Sequence, residues 1–159
     1  MTNISKKLKA MVVLITVMMF RLLISVNIYT GYMKSYYTEY KFDSKTELDF
    51  SFILENDGKV FKWLRPAKEQ FNIYWSNGSR RYEPDFVVET EHYIYMIETK
   101  AANEMTNEEV LMKKQAAEEY CRNATEYNLE NDGKAWKYVL IPHDKINKAS
   151  NFSFLVATN

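Results

Sequence analysis

The segment Tyr93–Lys100, with the sequence YIYMIETK, constrains the fold of this chain more than any other. Successive side chains of a β-strand point to opposite faces of a sheet, so every second residue lies on the same face. Both faces of this segment are apolar until its end, with Ile94 and Met96 on one face and Tyr93, Tyr95 and Ile97 on the other. A strand of this kind is typical of the interior of a sheet that is covered on both sides. We therefore predict an α/β domain built around this strand.

Two helices and three further strands are predicted around the central strand. Ser44-Lys-Thr-Glu47 matches a capping box, so a first helix is expected at residues 45–55. Thr106 or Asn107 can cap a second helix that ends near Arg122. The inner face of this second helix is expected to carry Val110, Leu111, Ala117 and Cys121. With strands at residues 71–75, 82–90 and 136–141, the order helix-strand-strand-strand-helix-strand predicts a central mixed sheet flanked by helices.

Composition limits the classes of protein and of site that the chain can form. It has 159 residues, enough for one domain with a core, and 21 basic residues balance 21 acidic ones. This balance argues against a protein that is basic throughout, although a local basic groove can still bind nucleic acid. Cys121, His92 and His143 are too few and too far apart for a disulfide or a structural zinc site. Any metal would be held mainly by carboxylates, which favour hard cations such as Mg²⁺.

Residues 10–29 form an apolar run, preceded by Lys6, Lys7 and Lys9, that differs from the rest of the chain. About 20 apolar residues can span a bilayer, but Arg21 within the run would cost about 2.5 to 3.5 kcal/mol there. Three interpretations stay open: a membrane-associated segment, a peptide buried against the following domain, or a stretch read through from a broken gene junction. We divide the chain into an N-terminal apolar segment of uncertain role, residues 1–32, and a domain, residues 33–159. A cytoplasmic location is expected, with membrane association through residues 10–29 as the alternative.

An acid and a base interrupt the apolar pattern where the central strand ends. Glu98 and Lys100 are two residues apart and point to the same face, whereas Thr99 points away. If the chain reverses at residues 91–92, Asp85 on the preceding strand falls opposite Glu98, with Cβ atoms about 4.5 to 5.5 Å apart. Two carboxylates at this distance repel each other, and a divalent cation between them would remove the repulsion. The predicted metal ligands are Asp85, Glu98, the backbone carbonyl of Thr99 and water.

These residues predict a hydrolytic centre in which Asp85, Glu98 and Lys100 are catalytic. Mg²⁺ there would activate a water molecule and stabilise charge on a scissile phosphate. Lys100 could orient or deprotonate that water, or hold the phosphate by its charge. Glu47 is a further candidate ligand from the first helix, with helix capping as the rival and slightly favoured interpretation. The alternative to the whole centre is an ordinary Glu98–Lys100 ion pair on a surface hairpin.

DNA contacts are expected from the second helix, which should flank the centre. Lys113 and Lys114 are the favoured phosphate ligands, and Gln115, placed on the inner side of that helix, could reach the centre or the DNA backbone. Five other basic residues could line a groove, although solvated loop charge is the simpler interpretation for each: Lys62, Arg65, Lys68, Arg80 and Arg81.

Six stretches carry a resemblance to a known family: residues 40–47 (YKFDSKTE), 63–66 (WLRP), 71–74 (FNIY), 82–88 (YEPDFVV), 97–100 (IETK) and 134–143 (KAWKYVLIPH). In this order, across residues 33–144, the chain resembles the C-terminal endonuclease domain of the restriction subunit of type III restriction enzymes, within the PD-(D/E)xK nuclease superfamily. The resemblance implies a restriction-endonuclease-like core that hydrolyses double-stranded DNA with Mg²⁺, for which Mn²⁺ can substitute. It places the metal-binding acids at Asp85 and Glu98 and the catalytic lysine at Lys100.

The chain departs from that family in what it lacks. It has no G-x-x-x-x-G-K-[ST] phosphate-binding loop, so ATP could act only through a missing helicase or translocase motor. Sequence recognition in the family comes from a separate methyltransferase (modification) subunit, which is therefore a candidate partner. We expect a detached fragment of such a restriction subunit. DNA cleavage is its leading function, and a non-catalytic DNA-binding or assembly role is the alternative.

Overall fold

The computed structural model describes residues 27–159, which form a mixed α/β fold. The helices and strands, in chain order, are β1 Tyr29–Thr30, β2 Glu39–Tyr40, α1 Lys45–Asn56, β3 Val60–Leu64, β4 Ile73–Trp75, β5 Arg80–Tyr82, β6 Phe86–Thr90, β7 Tyr93–Lys100, α2 Glu108–Glu130, β8 Ala135–Pro142 and α3 Phe152–Ala157. Short 3₁₀ turns lie at Ala102–Glu104 and His143–Lys145. The α/β class that the sequence predicted is confirmed.

A four-stranded sheet with the order β3-β6-β7-β8 forms the centre of the fold. The β3–β6 and β6–β7 pairs are antiparallel, whereas β7 and β8 are parallel. Parallel neighbours need a crossover connection, and α2 supplies it. The mixed sheet and the interior position of β7 agree with the prediction.

Each face of the sheet is covered by its own apolar cluster. On one face, side chains of α1 and α3 pack on the sheet, among them Phe50, Leu54 and Phe152 against Val88 and Ile97. On the other face, Ala117 and Cys121 of α2 pack with Met96 of β7 and with the β4–β5 hairpin. Because alternate residues of β7 enter opposite clusters, the apolar character of both its faces is explained.

The helix α1 begins where the capping pattern predicted. Ser44 Oγ accepts a hydrogen bond from the backbone N–H of Glu47 at 3.1 Å. The Glu47 carboxylate accepts from the N–H of Asp43 at 3.1 Å, one residue before the position that a capping box uses. On the helix, Phe50, Ser51, Ile53 and Leu54 are buried, whereas Phe52 is exposed. The cap is therefore correct. The apolar pattern of this helix predicts an inner face of Leu48, Phe52, Ile53 and Leu54, and that prediction is wrong for Phe52.

The predicted strand at residues 71–75 does not join the central sheet. Its residues Ile73–Trp75 pair with Arg80–Tyr82 in a separate hairpin, and Val60–Leu64 takes the place beside β6. The predicted strand at residues 82–90 is likewise two strands, because Pro84 has a fixed φ and no N–H to donate to a ladder. Asp85 therefore lies in a bend directly before β6 and not within a strand.

The helix α2 is longer than predicted, and its inner face differs. It begins after the cap Asn107, whose side chain accepts from the N–H of Glu109 at 2.9 Å, and it ends at Glu130 and not near Arg122. Leu111 is exposed and does not belong to the inner face. Gln115 is exposed too, so its assignment to the inner side was wrong. The buried residues of the helix are Val110, Ala117 and Cys121.

The apolar run at residues 10–29 falls almost entirely outside the described residues, and its three interpretations stay predictions. None of the helices within residues 27–159 is both long enough and apolar enough to cross a bilayer.

Candidate active site

The carboxylate of Asp85 is fixed at the open end of the β6–β7 pair. Its Oδ2 atom accepts one hydrogen bond from the backbone N–H of Thr99 at 2.7 Å and a second from Thr99 Oγ1 at 2.8 Å. Burial raises the pKa of Asp85 above its ordinary value, while these two bonds act in the opposite direction. The register pairs Phe86 with Ile97, so Asp85 falls beside Glu98 as predicted.

Glu98 lies on the α2 side of the sheet with both of its carboxylate oxygens engaged. The residue is only 5% exposed. Its Oε1 lies 2.9 Å from Lys100 Nζ, and its Oε2 accepts a hydrogen bond from the hydroxyl of Tyr82 at 3.0 Å. Burial and then the nearby charge of Asp85 raise the pKa of Glu98 to about 7, against the opposing effects of Lys100 and Tyr82. Glu98 is thus an acid that changes charge near neutral pH.

Lys100 ends β7, and its side chain is 28% exposed. Partial burial lowers the pKa of this ammonium group, but the charges of Glu98 and Asp85 outweigh that effect, so the net shift is upward. Lys100 is therefore a cation at neutral pH. In this arrangement it can neutralise or orient a neighbouring group by charge, and it is a poor proton acceptor.

The structure adds Tyr82 to the residues that the sequence placed at the centre. Tyr82 ends β5, is buried, and donates its hydroxyl to Glu98. Burial, followed by the charge of Glu98, raises its pKa well above the ordinary value, so it remains a hydrogen-bond donor. The only sequence signal for Tyr82 was its position three residues before Asp85. Because the strand is broken between these two residues, their spacing does not predict the direction of the Tyr82 side chain.

A cavity of about 250 Å³ opens beside Asp85, on the side of α1. It is lined by Asp43, Arg65, Pro66, Lys68, Glu83, Pro84 and Asp85. The guanidinium of Arg65 bonds Glu47 Oε2 at 3.1 Å and also pairs with Asp43. Solvent and ligands thus reach Asp85 through an opening of mixed charge, in which Arg65 and Lys68 are the basic side chains.

Glu47 is used differently from the way a metal ligand would be. Its carboxylate accepts from the N–H of Asp43 and from Arg65, which agrees with the capping interpretation. Within the described part of the chain, no group of three or more His, Cys, Asp and Glu side chains lies close enough to hold one ion. Any cation at this centre would therefore rely on two carboxylates, backbone oxygen and water.

The backbone carbonyl of Thr99 can serve as a further ligand of such a cation. The N–H of Thr99 faces Asp85, and the carbonyl of a strand residue lies on the same edge as its N–H. Continuing the β6–β7 register puts Pro84 beside Thr99, and proline has no N–H to donate to that carbonyl. Two carboxylates and one carbonyl suit Mg²⁺, which binds few protein oxygens and keeps several waters.

Of the three predicted DNA-binding residues, Lys113 lies against the Trp75 ring of β4. Its Nζ is 2.7 Å from Glu109 and 5.1 Å from the centre of the Trp75 ring. Lys114 pairs with Glu118 at 3.8 Å. Gln115 lines a shallow depression of about 300 Å³ against the β4–β5 turn, and neither Asp85 nor Glu98 lines that depression.

Searches with protein-family models, curated proteins and solved structures gave no match to this chain.

Proposed function

We propose that residues 33–159 are a Mg²⁺-dependent endonuclease domain that hydrolyses phosphodiester bonds in double-stranded DNA. One observation carries this proposal: the half-buried Asp85 lies beside the buried Glu98 at the open end of the central strand, with Lys100 on the same face as Glu98. The sequence resemblance to the endonuclease domain of type III restriction subunits supports the same function and a restriction-endonuclease-like core.

Two acids placed beside each other, one of them buried, have a cost that a cation would remove. An ionised carboxylate away from water is unfavourable unless it is paired, and a second negative charge beside it adds to that cost. The pKa of about 7 for Glu98 reflects both effects. Structural packing alone gains nothing from such a pair, whereas metal-dependent phosphodiester hydrolysis needs it.

The side chains would divide the work in a simple way. Asp85, Glu98 and the carbonyl of Thr99 would hold Mg²⁺, which supplies charge stabilisation for the scissile phosphate and activation of a water molecule. Lys100 pairs with Glu98 at 2.9 Å, and as a cation it can turn to a phosphate oxygen when DNA binds. Tyr82 and the backbone of Thr99 hold the two acids in place.

The second candidate is a non-catalytic DNA-binding or assembly module. It is favoured by the closed Glu98–Lys100 pair and because, within residues 27–159, no third acid lies close enough to share one ion with Asp85 and Glu98. Both candidates are compatible with the resemblance to the restriction subunit of type III restriction enzymes. Site-directed, ATP-dependent restriction would require a motor and a methyltransferase subunit in addition to residues 33–159.

Nicking of supercoiled plasmid by the full chain tests the proposal. We expect nicking with Mg²⁺ or Mn²⁺, none with EDTA, and a loss of at least about 100-fold in Lys100→Ala. Lys148→Ala is the matched control, because Lys148 is an exposed lysine outside the proposed centre, with its Nζ 4.8 Å from the centre of the Phe52 ring. A folded protein that does not nick under any of these metal conditions supports the non-catalytic module.

A further inference from the structure

Two cations converge on one buried tryptophan where the β4–β5 hairpin meets α2. Arg80 Cζ lies 5.3 Å and Lys113 Nζ 5.1 Å from the centre of the Trp75 ring. Trp75 is itself buried. A guanidinium or ammonium over an aromatic face is attracted by the ring and held in a narrower range of positions. We call Trp75, Arg80, Lys113 and the acid between them, Glu109, the basic clamp.

Glu109 connects the two cations of the basic clamp. Its Oε1 lies 2.7 Å from Lys113 Nζ, and its Oε2 lies 3.6 Å from Arg80 Nη1. The Glu109 side chain is 47% exposed and that of Arg80 is 62% exposed. One carboxylate therefore presents two oxygens to two cations at the surface, which is also how the two non-bridging oxygens of a phosphodiester would meet them.

The basic clamp flanks the proposed catalytic centre. Arg80 and Tyr82 are two apart on β5, and Tyr82 donates to Glu98 of the centre. The Lys113 hydrogen bond is the main cause of a lowered pKa at Glu109, and Lys100 contributes to the same lowering by its charge. Through Tyr82, which lies two residues from Arg80 on β5 and bonds Glu98, the basic clamp thus neighbours the proposed centre.

We infer that Arg80 and Lys113 bind a DNA phosphate next to the scissile one, and that Glu109 holds their place in the free protein until the phosphate displaces it. The position relative to the scissile bond rests on the proposed function. Displacement is inexpensive, because exposed ion pairs contribute little to stability in water. The bound phosphate releases condensed counterions, which favours the exchange.

The neighbouring pair on the same helix does not have these properties. Lys114 and Glu118 lie 3.8 Å apart and have the same spacing of four residues as Lys113 and Glu109. Neither an aromatic ring nor a second cation is brought to that pair in the described residues. Glu118→Gln therefore removes the same charge from the same helix as Glu109→Gln and serves as its matched control.

Duplex binding by the full chain, measured by fluorescence anisotropy in EDTA over a range of salt, tests this inference. We expect Glu109→Gln to tighten binding about fivefold, and Glu118→Gln to change it less than about twofold. Arg80→Gln and Lys113→Gln should each weaken binding and reduce the slope of log affinity against log salt by about 1. In the Arg80→Gln, Lys113→Gln background, Glu109→Gln should change binding no more than Glu118→Gln does.

Equal tightening by Glu109→Gln and Glu118→Gln would overturn the inference, because net charge alone would then explain it. Unchanged affinity and salt slope in Arg80→Gln and Lys113→Gln would overturn it too. Because EDTA prevents metal-dependent cleavage, the binding result is independent of nicking. If binding changes as expected but the chain does not nick DNA, the basic clamp belongs to a DNA-binding module that does not cleave. If the chain nicks DNA but these variants bind as before, the inference about the basic clamp is wrong and the proposed nuclease function stands.

Discussion

Asp85 Oδ2 accepts two hydrogen bonds from Thr99, one from its backbone N–H at 2.7 Å and one from Oγ1 at 2.8 Å. Thr99 belongs to β7, two residues beyond the last paired position of β6 and β7, so these bonds hold Asp85 where the ladder has already ended. A residue between Glu98 and Lys100 thus fixes the third member of the proposed centre. The middle residue of the E-x-K motif therefore has a structural role of its own.

Thr99→Val should weaken the use of metal while leaving the fold intact. Valine keeps the shape of threonine and the backbone bond but loses the hydroxyl donor to Asp85. One such bond to a charged group contributes about 1.5 kcal/mol, so we expect a roughly tenfold rise in the Mg²⁺ concentration for half-maximal nicking. Thr90→Val is the control, since Thr90 Oγ1 donates to the carbonyl of Tyr93 at the other end of the same strand pair, at 3.0 Å. Equal metal requirements in both variants would contradict a positioning role for Thr99.

Glu98→Gln should stabilise the metal-free protein at alkaline pH. The pKa of Glu98 is raised from 4.5 to about 7 in the folded state, so between these values the folded state keeps a proton that the unfolded state has released. The free energy of unfolding therefore falls as pH rises through this window, by about 3 kcal/mol in total. Glutamine abolishes that loss and can still accept the bond from Tyr82.

Urea unfolding in EDTA at several pH values measures this difference. The free energy of unfolding of Glu98→Gln should exceed that of the unmodified protein at pH 8, and the two should converge near pH 4.5. Glu118→Gln, on the exposed face of α2, should show no such pH-dependent gap. The opposite result would be a free energy of unfolding of Glu98→Gln that, compared with that of the unmodified protein, is lower at pH 8 than at pH 5. That result would show that Glu98 is stabilised as an anion in the absence of metal.

Magnesium should stabilise the folded protein more at pH 8 than at pH 5.5. A cation held by Asp85 and Glu98 requires both to be ionised, and burial raises the pKa of each. A ligand that binds only the folded state raises its stability in proportion to the logarithm of its concentration over Kd. Thermal unfolding with and without about 10 mM Mg²⁺ measures the shift in Tm. An equal shift in Glu98→Gln would assign the effect to another place in the protein.

The sequence was sufficient for features that depend on local pattern. The apolar character of both faces of Tyr93–Lys100 predicted an interior strand, and the reversal at residues 91–92 predicted that Asp85 falls beside Glu98. The cap at Ser44 was also correct. These features depend on the period of the side chains along a strand and on backbone N–H groups at a helix start, both of which are local.

Features that depend on distant packing could not be predicted in the same way. Residues 60–64 and 71–75 are both short and apolar, and only the assembled sheet decides that the former pairs with β6. Similarly, Tyr82 reaches Glu98 because the β4–β5 hairpin folds over the sheet, which no spacing reveals. Two roles were considered for Glu47, helix capping and metal binding. Its contact with Arg65, which is distant in sequence, decides between them.

Nicking by Asp85→Asn across a range of Mg²⁺ concentrations tests the central claim most directly. Asparagine keeps the size of the side chain and removes the charge that the proposed cation needs, and Asp43→Asn makes the same change in the same cavity outside the carboxylate pair. If Asp85 and Glu98 form the catalytic metal centre, Asp85→Asn reduces Mg²⁺-dependent nicking at least about 100-fold, while Asp43→Asn retains most of it. Full nicking by a folded Asp85→Asn protein would contradict the assignment of the centre to these residues.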